Sequence, residues 1–280
     1  MVIALGDVRA TVLCDGFLSL DGGAMFGVVP RVLWEKANPA DAQHRVRLGM
    51  NVLLVESAGR RVLVDTGAGE RWGERERRIY ALDRSSTLLE SLKGLGLAPE
   101  DVDVVVNTHL HFDHAGGNTR DEGGRVVPTF PRARYVVQRG EWHDATHAHE
   151  RNRASYREED FVPLDAAGQL ELVEGEAEVA PGVRVVPIGG HTAHHQMVVV
   201  EGGGRTLAVP TDVLPTTSHL ALPWIAAYDL YPAATLEAKR RLLRRAVDED
   251  WALVFYHDAR TPLARVRDEG GRLAPHAIAA

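Results

Sequence analysis

The segment Thr108-His109-Leu110-His111-Phe112-Asp113-His114-Ala115-Gly116-Gly117 carries four side chains able to bind a metal within six residues. Imidazole and carboxylate at this density suit zinc or a similar first-row ion. His109 and His111 lie two positions apart, so on extended chain they point to one side. Asp113 and His114 diverge once the chain turns, and one loop can then feed two neighbouring ions. Gly116 and Gly117 allow a sharp turn beneath them. The alternative is a polar surface loop, but packing gives no reason to gather these residues behind a buried strand. His143 and His147 form a second, weaker pattern. Their i,i+4 spacing can bind metal on a helix, yet Glu141, Asp144 and Glu150 surround them as on a solvated helix face.

The elements that must hold this loop are legible. Residues 8–20, 50–57 and 61–65 read as strands, the last two split by Ala58-Gly59-Arg60, a hairpin signal. A helix is predicted over 86–95, with Leu88, Leu89, Leu92 and Leu95 on one face. Thr87 and Glu90 have capping-box spacing there. Val102–Val106 is an apolar strand that runs into Thr108-His109. Strands are also predicted at 134–138, 183–188, 197–201, 205–209 and 253–256, with helices from Glu141 and over 235–247. Strands come in runs with helices between the runs, which points to two packed sheets with helices outside. The histidine-rich segments follow strands, where rigid scaffolds place reactive groups.

The chain has 280 residues, read as a single domain over 1–280. Basic and acidic side chains number 32 and 39, a net charge of −7, so a nucleic-acid partner is not expected. Cys14 is the one cysteine, which excludes an intrachain disulfide framework and a thiolate-rich zinc site. The N-terminal run is broken by Asp7 and Arg9, unlike a secretory signal or a membrane span. A cytoplasmic protein without a membrane partner is expected.

The HxHxDH segment resembles the metallo-β-lactamase superfamily, and the resemblance extends over most of the chain. It implies an α/β fold, a four-layer αββα sandwich, and three more ligands in order. Gly190-His191-Thr192-Ala193-His194-His195 resembles the family's GHTPGH segment, with His191 on the ligand position. Thr211-Asp212-Val213 resembles the segment that supplies a bridging carboxylate, with threonine where glycine is usual. His257 stands where the last histidine belongs. The resemblance implies that His109, His111 and His191 hold one ion, that Asp113, His114 and His257 hold the other, and that Asp212 bridges. Asp65, in Val64-Asp65-Thr66-Gly67, and His195 then stand behind the ligands and orient them. His111 occupies the position where the diiron branch carries glutamate, so two zinc ions are favoured, with Mn, Co or Fe as alternatives.

Two divalent ions, two carboxylates and a bridging hydroxide leave the site at about +1, and metal-bound water ionises near neutral pH. The expected chemistry is attack of that hydroxide on a carbonyl or phosphoryl centre, with Asp113 and Asp212 as catalytic carboxylates. A small-molecule substrate is expected. Met25, Phe26 and Trp34 lie in one apolar stretch, and His219, Leu220, Trp224 and Tyr228 in another soon after Asp212. These are candidate pocket walls for an uncharged ester, lactone or phosphotriester, and equally candidates for core packing or a homodimer contact. The stretches around MFGVVP, HLHFDHAGGN and Gly140–Trp142 resemble the lactonase and methyl-parathion-hydrolase-like branch. That branch implies an N-acyl-homoserine-lactonase-like activity linked to quorum quenching. The alternatives are a phosphotriesterase, a thioester hydrolase or a non-catalytic metal-binding module. One departure concerns the tyrosine that lactonases place three residues after the bridging aspartate: here it is Pro215. Tyr228, His219 and Thr216 are the candidates to replace it.

Overall fold

The computed structural model describes residues 1–278. Two seven-stranded sheets form most of it. The first runs Val2–Leu5, Val8–Asp21, Arg45–Ser57, Arg60–Val64, Val104–Val106, Arg134–Gln138 and Leu170–Val173 in spatial order. The first four of these pair antiparallel, and the strands from Arg60–Val64 onward pair parallel. The second sheet runs Ala177–Ala180, Val183–Pro187, Gln196–Gly202, Arg205–Val209, Ala252–Val254, Leu263–Asp268 and Leu273–Ala277. A separate hairpin joins Thr119–Glu122 to Arg125–Pro128.

Three apolar layers explain the stack. Between the sheets lies a valine-rich seam, in which Val55, Val62, Val64, Val104 and Val106 face Val183, Val185, Val198, Val200 and Val209. The outer face of the first sheet packs Leu54, Leu63 and Val105 against Leu88 and Leu92 of helix Leu88–Gly94 and Ala145 of helix Arg139–Thr146. The outer face of the second packs Val199, Ala208 and Leu253 against Leu242, Leu243 and Ala246 of helix Pro232–Asp248. The result is the αββα sandwich. Burial on two faces produces the uninterrupted apolar runs such as Val104–Val106, because parallel central strands have no solvent side.

Local signals behave as the chemistry requires. Ala58 and Gly59 both take positive φ, 48° and 76°, which the tight turn between paired strands demands. Thr87 caps Leu88–Gly94, and Glu90 completes the reciprocal box. The apolar stretch that holds Met25, Phe26 and Trp34 forms two short helices, Gly22–Phe26 and Arg31–Trp34. Among the described residues, no helix is long and apolar enough to cross a membrane.

Candidate active site

The polar groups collect at one end of the sandwich, beyond the C-terminal ends of several strands. Val104–Val106 delivers the loop from Asn107 to Asn118. Arg60–Val64 delivers Asp65, Val183–Pro187 leads toward His191, Arg205–Val209 delivers Asp212, and Ala252–Val254 delivers His257. Close backbone approach fixes the loop: a Cβ on Gly117 would meet the Thr66 carbonyl oxygen at 2.2 Å, and one on Gly116 would meet Ala68 O at 2.3 Å. Only glycine fits there.

The proposed ligands converge. Ligand atoms of His109, His111 and His191 lie within 4.8 Å of one another, as do those of Asp113, His114 and His257, and those of His109, His114 and Asp212. Asp212 stands between the groups. Its Oδ1 is 3.1 Å from His114 Nε2 and 3.3 Å from His257 Nε2, while its Oδ2 is 3.3 Å from His191 Nε2.

The partners behind the rings fix their tautomers. His114 Nδ1 donates to Asp65 Oδ2 at 2.9 Å, His191 Nδ1 to Asp229 Oδ1 at 2.8 Å, and His257 Nδ1 to Gly49 O at 2.9 Å. Each acceptor can only accept, so each Nδ1 carries a proton, and a ring that is neutral presents a bare Nε2 lone pair. Asp65 also accepts from Thr108 N at 2.7 Å and Thr108 Oγ1 at 2.8 Å, which ties the histidine loop to the neighbouring strand end. His114 Nε2 then faces His257 Nε2 at 3.2 Å. Two lone pairs held face to face repel unless a metal cation or a shared proton lies between them. His109 Nε2, His111 Nε2 and Asp212 Oδ1 are buried without a hydrogen-bond partner among the described residues, a costly state in a low-dielectric interior. The donor set therefore fits a pair of divalent ions.

Electrostatics follow the same geometry. Burial and the neighbouring histidines hold His109 and His111 well below the usual imidazole range, so both stay neutral ligands. Burial also lowers His114, but Asp212 and Asp113 outweigh it and carry the ring well above that range. Without an ion, a proton shared with the carboxylates is what the site attracts. His195, fully buried, is lowered to about 3 by burial and does not belong to any of the three ligand groups. Its Nε2 donates to Thr211 Oγ1 at 2.7 Å. Thr211 has φ 38°, a strained setting for a β-branched residue and one where glycine would rest easily. The hydroxyl bonds to His195 and, at 3.3 Å, to Thr108 Oγ1 are what threonine gains there over glycine.

Two buried carboxylates that motif reading did not single out complete the site. Asp229 holds His191. Glu141 accepts from Leu110 N at 3.1 Å, Tyr156 Oη at 3.0 Å and Thr192 Oγ1 at 2.6 Å, joining both histidine loops. No local signal marks either role, since the partners are distant in sequence; Glu141, expected on a solvated helix face beside His143, is instead buried at 1% exposure because it points to the two histidine loops.

A cavity of about 180 Å³ opens onto His111, Asp113, His191, Asp212 and His257. Met25, Tyr80, Phe112, Pro215 and Tyr228 form walls. Of the seven residues expected to line it, Met25 and Tyr228 do. Phe26, Trp34, His219 and Trp224 stand behind as an aromatic cluster, with Phe26 5.3 Å from Trp34, 5.2 Å from His219 and 5.5 Å from Trp224. Leu220 packs in the layer under helix Pro232–Asp248. The correction has a simple cause: these rings pack on one another behind the cavity wall. His143 and His147 are exposed and stack on each other at 4.6 Å, away from the ligand groups.

A four-layer sandwich with adjoining imidazole–carboxylate groups at its strand ends defines a metal-dependent hydrolase scaffold. The chain belongs to the metallo-β-lactamase superfamily, whose sequence profile matches residues 46–257, and is a metallo-hydrolase of it. An N-acyl homoserine lactonase of Bacillus sp is 31% identical over 218 residues, covering 73% of this chain and 79% of that protein. A probable metal-dependent hydrolase from Staphylococcus aureus superposes with a TM-score of 0.91 at 31% identity, covering 99% of both chains. AidC, a dizinc quorum-quenching lactonase solved with a product, shares the fold with a TM-score of 0.82 at 18% identity, covering 100% of this chain and 97% of that one.

Proposed function

We propose that the protein is a dinuclear, zinc-type hydrolase of lactones and related esters, with N-acyl homoserine lactones as the substrate class. The observation that carries this reading is Asp212, whose two oxygens face different histidine groups and so set two cation positions side by side. His109, His111 and His191 would hold one ion, and Asp113, His114 and His257 the other. Bound there, the pair supplies an electrophilic pull on the carbonyl and lowers the pKa of water from 15.7 to about 7. Asp113 borders the cavity, with Oδ2 3.6 Å from His257 Nε2. It is placed to accept a proton from the attacking water and return it to the leaving alkoxide. Asp212 keeps the two halves of the site in register.

Shape supports a small reacting head with a longer tail. The head cavity, about 180 Å³, shares Tyr80, Phe112 and Ala154 with an open groove of about 1050 Å³. Trp72, Tyr80 and Phe112 pack together at that junction, with centroids 4.9 to 5.7 Å apart. A lactone ring fits the first space and an acyl chain passes over the aromatic junction into the second. The similarity to lactonases supports the same class. Phosphotriester turnover is the second reading, favoured by the uncharged cavity walls Met25, Phe112 and Pro215.

A hydrolysis screen of the metal-reconstituted protein against lactones, thioesters, phosphotriesters and phosphodiesters tests this. Acyl homoserine lactones should be turned over fastest. A large preference for triesters would reverse the order. Asp212→Ala should abolish turnover of lactones and aryl esters alike and reduce the metal content; retained activity would remove Asp212 from the centre.

A further inference from the structure

The cavity wall contains three hydroxyls outside the ligand set: Tyr80, Ser155 and Tyr228. We infer that the Tyr228 phenol is a catalytic hydrogen-bond donor, aimed at the carbonyl oxygen of the bound ester as charge develops on it. This rests on the ester-hydrolase reading above. Three groups were open candidates for such a donor, and the structure separates them. His219 is spent: its Nε2 donates to Met25 O at 2.9 Å, and its Nδ1 accepts from Thr216 Oγ1 at 2.8 Å. That same bond occupies the Thr216 hydroxyl, and neither residue borders the cavity. Pro215 does border it but has no donor, and its carbonyl accepts from His257 N at 2.9 Å.

Tyr228 is held where a donor is needed. The next residue, Asp229, grips His191 Nδ1. On either side, Ala227 N donates to Ala24 O at 2.8 Å and Leu230 N to His191 O at 3.0 Å. The backbone that carries the phenol is thus fixed to the same histidine that belongs to the ligand set. A phenol with an ordinary pKa of about 10 is a donor at neutral pH, and Tyr228 is 37% exposed where it borders the cavity. Tyr80 is held from the first sheet instead, its carbonyl accepting from Ser19 N at 2.6 Å. It leans on Trp72 and Phe112, and it caps helix Glu74–Ile79, which has no buried residue. Ser155 has a one-carbon arm on a backbone already paired with Phe112 N. Fixed donors act on charge that appears in the transition state, so their loss lowers kcat more than it raises KM.

The test is steady-state kinetics of metal-loaded wild type, Tyr228→Phe, Tyr80→Phe and Ser155→Ala on one acyl homoserine lactone and one 4-nitrophenyl ester. The Tyr228→Phe ring keeps its packing, so melting temperature and metal content should match wild type. Its kcat should fall about 100-fold, with KM within about threefold. Unchanged kcat, or a rise in KM alone, would overturn the assignment. So would the main kcat loss appearing in Tyr80→Phe or Ser155→Ala instead. Wild type inert toward both substrates would sink the ester-hydrolase reading itself, before any variant is compared.

Discussion

Replacing Asp229 by asparagine should unbalance the two halves of the metal centre. Asp229 is 2% exposed, and its Oδ1 accepts the His191 Nδ1 proton at 2.8 Å. Its Oδ2 is buried with no partner among the described residues. Asparagine can keep the contact to His191 through its amide oxygen, but a neutral acceptor gives roughly half the strength of a charged one. The amide NH2 then takes the place of Oδ2, where no described residue accepts from it, at about 1–3 kcal/mol. A weaker acceptor also makes His191 a less basic ligand, and losses of such orienting partners lower metal affinity about 10- to 100-fold. In free energy that is about 1.4–2.7 kcal/mol. His191 belongs with His109 and His111, not with Asp113, His114 and His257. Titration with a chelator should therefore strip Asp229→Asn in two separated steps, one ion leaving early and the other near its wild-type position. Asp65→Asn should weaken the opposite half, because Asp65 holds His114. Metal content at each chelator concentration reads both. If both ions leave Asp229→Asn together, or if it binds both as tightly as wild type does, the assignment of Asp229 to one half is refuted.

Three other substitutions probe the scaffold. Glu141→Gln should be nearly neutral, since its oxygen can still accept from Leu110 N and Tyr156 while its amide donates to Thr192 Oγ1. Glu141→Ala should instead cost about 3–5 kcal/mol by leaving three buried donors unpaired over a cavity, and equal urea-unfolding midpoints for the two would contradict this. Gly117→Ala forces a Cβ against Thr66 O and should destabilise by about 1–3 kcal/mol; an unchanged melting temperature would show that the loops are not in close contact. Lys239 lies fully buried in helix Pro232–Asp248, its Nζ 3.0 Å from Ala221 O, 3.2 Å from Leu222 O and 2.6 Å from Trp224 O; the charged amine donates to all three and the neutral amine to two. Burial draws its pKa down to about 7 from 10.5, with Asp229 pulling upward. Between those values the unfolded chain holds a proton that the folded chain has released. This group's contribution to stability therefore rises with pH across that window, by at most about 1.4 kcal/mol per unit. Unfolding at about pH 7.5 and about pH 9 should show that rise in wild type and lose it in Lys239→Met, relative to the same background; parallel slopes would refute it.

The strands legible in sequence were those buried on two faces or closed by a tight turn. Val104–Val106 and Arg205–Val209 show as apolar runs, and Ala58-Gly59 marks its hairpin. Helix Pro232–Asp248 shows through its one apolar face. The strands that did not show are short or charged. Thr119–Glu122 and Arg125–Pro128 pair only with each other and leave most of their side chains partly or fully in solvent. Leu263–Asp268 alternates arginine with core residues, and the edge strand Leu273–Ala277 contains Pro275, a residue that reads against a strand everywhere except at an edge. Such segments become strands because an existing sheet offers hydrogen bonds, which is tertiary information. The strand Val8–Asp21 also hides an irregularity between Cys14 and Phe17, where Asp15 turns to accept from Leu88 N and pair with Arg84.

The site divides along the same line. Metal ligands gather by type, four of them in six residues, so composition and spacing expose them. Their orienting partners do not gather: Asp229 lies 38 positions from His191, Asp65 lies 49 from His114, and Gly49 lies 208 from His257. A single aspartate carries no mark of the imidazole it will meet. The apolar stretches show the converse difficulty. Met25 and Phe26 are adjacent, alike in type and both buried, yet Met25 faces the cavity and Phe26 stacks on Trp34 and His219. Neighbouring apolar residues on a short helix point in different directions, and only the packed partners decide which direction is wall and which is core. Tyr228 passes from possible packing residue to catalytic donor for the same reason: its ring borders the cavity while the backbone on either side is tied to Ala24 and His191.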